Sequence, residues 1–252
     1  MTTLVVGASG ATGRLLVEHL LNQGQAVKII VRGMETLPGV ITGHDQVTII
    51  KENVLDLSDE QLREHVKGCE AIASCLGHNM SFKGMYGQPR WLVTDATRRL
   101  CGAIKANGPE KIVKFVLMNT SGNSNRDISE PVSIAQQIVI VLLRLLLPPH
   151  LDNEKAADYL RVEIGQRDSD IEWVAVRPDG LTNESEISEY DVHSSPTRSA
   201  IFDAGTTSRI NVGHFMSTLI ADAETWGEWK GKMPVIYNKV QAEFKSENMT
   251  GA

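Results

Sequence analysis

Apolar positions along this chain fall into short solid blocks separated by longer stretches in which they recur every three or four residues. The blocks Leu4–Val6, Ala26–Arg32, Val47–Lys51, Ala71–Leu76, Lys111–Met118 and Ile171–Val176 are apolar almost throughout. Such runs predict strands buried on both faces, whereas the longer period predicts amphipathic helices. Those helices are Thr12–Asn22, Asp59–Lys67, Trp91–Ala106, Ile134–Leu147 and Asp152–Arg167. Ser58 followed by Gln61 is a capping-box signal for the second of them. The alternation defines an α/β fold, a doubly wound parallel sheet covered on both faces.

After Met118 the pattern loosens into the polar loop Asn119–Glu130. Beyond Arg177-Pro178 come an acidic stretch to Tyr190, a short strand near Ser199–Phe202, a helix Val212–Ala223 and a strand Pro234–Tyr237. The whole length, 1–252, reads as one domain, with a small C-terminal substrate-side lobe and substrate-side segments at about 122–150 and 179–235. The polar residues Asn238–Ala252 are expected to fray.

The first strand runs into LVVGASGATG, residues 4–13, and so into a G-x-x-G-x-x-G turn that opens a helix. Gly7 permits the tight turn, Gly10 lets the backbone approach a pyrophosphate, and Gly13 lets the helix pack close to the sheet. Unpaired N–H groups at the helix start favour an anion there without any basic side chain. The turn Gly7, Ala8, Ser9, Gly10, Ala11, Thr12 and Gly13 is therefore the expected dinucleotide cradle. At the tip of the second strand stand Val31-Arg32-Gly33, with no acid to bond ribose hydroxyls. Arg32 on offer favours a 2′-phosphate, hence NADP over NAD.

A net charge of -6 argues against a nucleic-acid partner, which calls for a basic face. The three cysteines, Cys69, Cys75 and Cys101, have neither zinc spacing nor an even count, so reduced thiols are expected and no metal site is read. Met1 leads directly into the first strand, which leaves no room for a signal or transit peptide and predicts a cytoplasmic protein. Ile134–Leu147 is the longest apolar run, but Gln136, Gln137 and Arg144 make it too polar to span a bilayer. A buried helix, a homodimer face, a pocket lid and, least well, a segment lying on a membrane surface all fit it. His78, Tyr86 and Tyr159 are candidate proton carriers, although a loop histidine and a rim tyrosine are commonly plain structure.

The order of GASGATG, Val31-Arg32, Asn53-Val54, Cys75-Leu76-Gly77, Asn119-Thr120-Ser121-Gly122, the Lys155 helix and Trp173–Pro178 resembles the atypical short-chain dehydrogenase/reductases. The similar branch is the NAD(P)H-binding one that includes NmrA-like proteins and the flavin and biliverdin reductases. This resemblance implies a Rossmann-like fold, with Asn53 and Val54 beside the adenine, Leu76 and Gly77 near the ribose, and Thr120 and Ser121 at the nicotinamide end. It implies Lys155 as a ribose-binding and catalytic residue, with Ser121 facing the nicotinamide. In standard members a tyrosine stands four residues before the lysine and donates a proton; here that position is Leu151. Two functions lead, and a third, a sugar-nucleotide or isoprenoid-type modifying enzyme of the extended branch, finds little help in the acidic stretch around Asn183–Asp191. Of the leading two, one is an NADP(H)-dependent oxidoreductase passing hydride to a small planar or carbonyl acceptor, and the other a non-catalytic NADP(H)-sensing protein that binds a partner.

Overall fold

The computed structural model describes residues 1–79 and 81–239. From the glycine turn onward, strands and helices alternate: β1 (Thr2–Val6), α1 (Ala11–Asn22), β2 (Ala26–Val31), α2 (Gly39–Thr42), β3 (Val47–Lys51), α3 (Asp59–Val66) and β4 (Ala71–Ser74). There follow α4 (Phe82–Tyr86), α5 (Leu92–Asn107), β5 (Val113–Met118), α6 (Ile134–Leu146), α7 (Pro148–Asp158) and β6 (Ile171–Pro178). A π-helical stretch, Tyr159–Ile164, continues α7. The remainder holds β7 (Gly180–Thr182), β8 (Tyr190–His193), β9 (Thr206–Ser208), α8 (Arg209–Ala221), α9 (Ala223–Trp229) and β10 (Val235–Asn238).

One eight-stranded sheet runs β3-β2-β1-β4-β5-β6-β10-β8. All its pairings are parallel except β10 with β8, so this is the Rossmann-like doubly wound α/β architecture. Burial explains why the strands are solidly apolar. Leu4 and Val6 point into one core layer with Leu100, Phe115 and Trp173, while Val5 points into the other with Leu16, Val116 and Met216. The second layer depends on close approach of α1 to α8, where a Cβ on Gly213 would meet the Leu16 backbone nitrogen at 3.0 Å. Ser58 and Gln61 form the expected capping box on α3.

Three expectations are corrected. Ser199–Phe202 is not a strand: the Ser199 hydroxyl accepts the N–H groups of Ile201 and Phe202 and closes a turn, and the strands of this lobe are β7, β8 and β9. The lysine helix begins at Pro148, not Asp152, because proline at the first helical positions has no N–H to lose. Asn238 belongs to β10 and pairs with Tyr190, and the rest of the expected tail, 240–252, lies outside the described residues.

No single helix among the described residues is long and apolar enough to cross a membrane. The pair Ile134–Leu146 and Pro148–Ile164 reaches that length only across a 104° bend. α6 buries Gln136 and Ile140 but exposes Ile134, Ile138, Val141, Leu142, Leu145 and Leu146.

Candidate functional site

The order of the strands reverses between β1 and β4, and a doubly wound sheet opens its ligand crevice at the carboxyl ends of the strands beside that point. There the glycine turn has the tight turn and close helix packing that its spacing predicts. Gly7 has φ +77°, and a Cβ on it would lie 2.6 Å from the Cys75 carbonyl carbon, so the turn presses against the chain leaving β4. A Cβ on Gly13 would collide with the Gly7 carbonyl oxygen. Gly10 meets only the Gly7 oxygen, at 3.2 Å, and otherwise leaves its side open to the cleft. Gly10 is also the N-cap of α1 and offers no side chain, so the first N–H groups of the helix are left for an external acceptor.

The cleft in front of this turn has a volume of about 310 Å³. Its lining brings together Gly7, Ser9, Gly10, Arg32, Asn53, Val54, Leu76 and Gly77, with Thr36 and Glu52 beside them. The Thr36 hydroxyl donates to the Ser9 carbonyl at 3.3 Å and ties the loop after β2 to the glycine turn. Ala8, Thr12 and Gly13 lie behind the wall: the Ala8 side chain is in the core and Thr12 is buried. Ala11 is the first residue of α1. Cys75 also lines the cleft, and burial pushes its thiol up to about 12, far from thiolate chemistry.

A second cavity of about 380 Å³ opens at the carboxyl ends of β5 and β6. Asn119, Thr120, Ser121 and Gly122 form one wall, Pro178–Leu181 another, and Ile140, Leu143 and His150 close it from α6 and α7. Asn119 fixes this corner by donating from Nδ2 to the Asn153 carbonyl at 2.8 Å and accepting the Thr120 N–H at 2.9 Å. Ser121 is held by its backbone N–H on the Pro178 carbonyl at 3.0 Å. A larger cavity, about 640 Å³, lies at the opposite, amino end of the sheet around Val66–Glu70 and Asn107–Lys114, away from the glycine turn.

Lys155 is exposed, and its Nζ sits 4.9 Å from the Trp91 ring centroid in a cation–π contact. Trp91 immediately precedes Leu92, which lines the cleft; Lys155 itself is not in the cleft wall. Tyr159 packs against the core under the Arg98 guanidinium, and Tyr86 donates its hydroxyl to the Leu146 carbonyl at 2.9 Å; neither lines the second cavity. His78 is a clamp. Its Nδ1 lies 3.2 Å from the Gly84 carbonyl and its Nε2 2.8 Å from Asp152 Oδ2. Hydrogen bonding to Asp152 raises its pKa against the opposing effect of burial.

Sequence reasoning passed over Asp152, Glu154, His150 and Glu130. Asp152 accepts the N–H groups of Val93 and Thr94 and so caps α5, whose own Trp91 cannot. Glu130 pairs at 2.7 Å with Arg177, whose guanidinium is completely buried and also donates to the carbonyls of Met233 and Asn123. No group of histidines, cysteines and carboxylates able to hold a metal occurs among the described residues.

A glycine cradle at the reversal of a doubly wound parallel sheet, with a second cavity further along the strand ends, defines a dinucleotide-binding protein. The model of the NAD(P)H-binding family matches residues 7–223, and the chain belongs to that family. A chloroplast protein of Arabidopsis thaliana is 28% identical over 181 residues, covering 71% of this chain. The match spans 59% of the length of that relative. Among solved structures, an oxidoreductase from Lactococcus lactis is 19% identical with a TM-score of 0.65, covering 96% of this chain and 93% of its own. A short-chain dehydrogenase/reductase from Veillonella parvula in complex with NADP has 16% identity and a TM-score of 0.67, covering 94% of each chain. An anaerobilin reductase from Escherichia coli has 15% identity and a TM-score of 0.65, covering 96% and 99%. These three likenesses are of fold.

Proposed function

We propose that this protein is an NADPH-dependent reductase that passes hydride to a small planar, conjugated acceptor. The observation that carries the reading is the pairing of the Arg32-lined glycine cleft with a separate cavity, at the ends of β5 and β6, that has no tyrosine in its wall. In this reading Gly7–Gly13 hold the pyrophosphate, Arg32 the 2′-phosphate, Asn53 and Val54 the adenine, and Leu76, Gly77 and Lys155 the ribose. Thr120 and Ser121 face the nicotinamide, which supplies the hydride when bound. A flavin, quinone or related acceptor needs stacking and exclusion of water more than a strong protein acid, and that suits a frame with Leu151 where a phenol is usual. The NADP-bound Veillonella parvula structure and the Escherichia coli anaerobilin reductase share the fold and support both halves of the reading.

The exposed apolar face of α6 favours a second reading, an NADP(H)-sensing protein whose partner, or a second copy of this chain, docks there. One experiment separates the two. Purified protein is assayed for NADPH oxidation against flavin mononucleotide, a short-chain quinone and an aromatic aldehyde, with Lys155→Ala alongside. Turnover that falls in Lys155→Ala supports the reductase; tight NADPH binding with no turnover on any acceptor removes it in favour of the sensor.

A further inference from the structure

The cavity at the ends of β5 and β6 has one imidazole in its wall, that of His150. His150 stands in the first turn of α7, beside the Leu151 that replaces the usual phenol. Its ring lies over Gly122, where a Cβ would come 3.6 Å from Cε1 and 4.0 Å from Nδ1. The side chain is only 11% exposed, and Nε2 points the other way, 3.5 Å from Glu154 Oε1 one helical turn along. That nitrogen is shut off from solvent and has no hydrogen-bond partner among the described residues.

Glu154 is built to be an ionised carboxylate. It is 2% exposed, and Arg144 grips it in a bidentate pair, Nε to Oε2 at 2.7 Å and Nη2 to Oε1 at 2.9 Å. Arg126 lies a further 3.9 Å away. Burial alone would push this carboxyl up, but His150 and Arg144 together hold it at about 2. A buried carboxylate behind Nε2 orients the ring, and Nδ1 is the nitrogen left to meet whatever enters the cavity.

We propose that His150 is the proton donor of this reductase, with Nε2 held over Glu154 and Nδ1 presented to the acceptor. The assignment rests on the reductase reading. Reduction of the acceptor takes two electrons and two hydrogens: the hydride leaves the reduced dinucleotide for the acceptor's electrophilic atom, and the proton on Nδ1 goes to its oxygen or nitrogen. Water then reprotonates Nδ1. No other group in the wall does this as well. Thr120 and Ser121 offer only neutral alcohols, and Asp179 spends both oxygens on the N–H groups of Gly180 and Gly205. The charges bearing on the imidazole are therefore Glu154 on its own helix, Arg144 from α6, Arg126 from the loop before it, and Asp179 across the cavity.

The test uses the full chain with NADPH and the acceptor that turns over fastest among the flavin, the quinone and the aldehyde. His150→Gln should bind NADPH as the wild type does, as read by cofactor fluorescence, and lose about 100-fold in kcat with little change in KM. Wild-type kcat should decline toward alkaline pH, as the rate of a step that needs a protonated donor does, and this decline should vanish in His150→Gln. Imidazole ¹⁵N spectra of the cofactor-free chain give a readout independent of turnover: the His150 ring signals should shift in Glu154→Gln, where the carboxylate behind Nε2 is lost. A His150→Gln enzyme within twofold of wild type and with the same pH profile overturns the assignment alone. Wild-type protein that binds NADPH but reduces none of the acceptors overturns the reductase reading, and the assignment with it. His150 ring signals unmoved by Glu154→Gln overturn the role given to the carboxylate.

Discussion

His78 and Asp152 meet at 2.8 Å across a gap of 74 residues, both almost fully buried, and join the loop after β4 to the start of α7. Because the other ring nitrogen faces the Gly84 carbonyl, the doubly protonated imidazolium is the form that satisfies both partners. Asp152 is held below its ordinary value: burial would raise it, and His78, Thr94 and the N–H groups capping α5 outweigh that.

The pH dependence of this pair follows from the signs. The raised His78 contributes stability that is complete below its ordinary 6.5 and lost as pH climbs through the folded value above it. The depressed Asp152 contributes stability present above its ordinary 3.8 and lost as pH falls through the lower folded value. Urea unfolding should show wild type exceeding His78→Gln most between those limits, with the gap closing toward alkaline pH. Asp152→Ala, which strands the imidazolium and uncaps α5, should cost about 3–5 kcal/mol. A gap that does not change with pH would mean that His78 is neutral in the fold.

The glycine turn makes a prediction about folding that is separate from ligand affinity. Gly7→Ala meets both a positive φ and the Cys75 backbone, and Gly13→Ala meets the Gly7 carbonyl. Each should lose about 1–3 kcal/mol in thermal or urea denaturation without any cofactor present. Gly10→Ala, whose Cβ faces the cleft, should retain most stability while weakening dinucleotide binding. Equal stability losses at all three positions would contradict this division of labour.

Arg32 offers a test of cofactor choice. If its guanidinium takes the 2′-phosphate, Arg32→Ala should raise the NADPH Kd by about 10–100-fold, the worth of a hydrogen bond to a charged group, and leave NADH nearly unchanged. Calorimetric titration with both cofactors decides it, and equal losses for the two would relocate the phosphate contact.

Arg177 and Glu130 form the most deeply buried ion pair among the described residues, 0% and 2% exposed at 2.7 Å. Glu130 also accepts the Asn125 N–H at 2.9 Å, so the pair shapes the loop that carries Thr120 and Ser121 to the cavity. Glu130→Ala should cost about 3–5 kcal/mol because it leaves the buried guanidinium with carbonyl acceptors but no counter-charge. Hydrogen exchange should show faster opening of 119–130 than of β1; uniform acceleration would mean that the pair supports the whole sheet instead.

Much of the sheet is legible in the sequence because β1, β2, β4, β5 and β6 are buried on both faces and so have continuous apolar runs. The cleft side of the site is legible for a related reason: a glycine turn between a buried strand and a helix admits few other geometries. The C-terminal lobe is less so. Ala200-Ile201-Phe202 looks like a strand, yet Phe202 is 61% exposed and no neighbouring backbone pairs with it among the described residues. Starting the lysine helix at Asp152 leaves His150 outside it and hides the spacing that sets the imidazole over Glu154. Pro148-Pro149 carried the signal for the earlier start. The ties from His78 to Asp152 and from Arg177 to Glu130 join segments whose proximity only the folded chain creates.

β10 is the last described strand in sequence but an interior one in space, lying between β6 and β8. The carbonyls just before it, Met233 and Pro234, receive the Arg177 side chain and backbone, and Ile236 receives the Thr207 hydroxyl. A chain emerging from the ribosome can assemble the dinucleotide half early, but must leave an open edge at β6 until residues 235–238 clear the exit tunnel. The cavity end of the sheet is thus finished only after β10 has been made, and a premature stop upstream of Val235 would release a nucleotide-binding torso with an exposed, sticky flank.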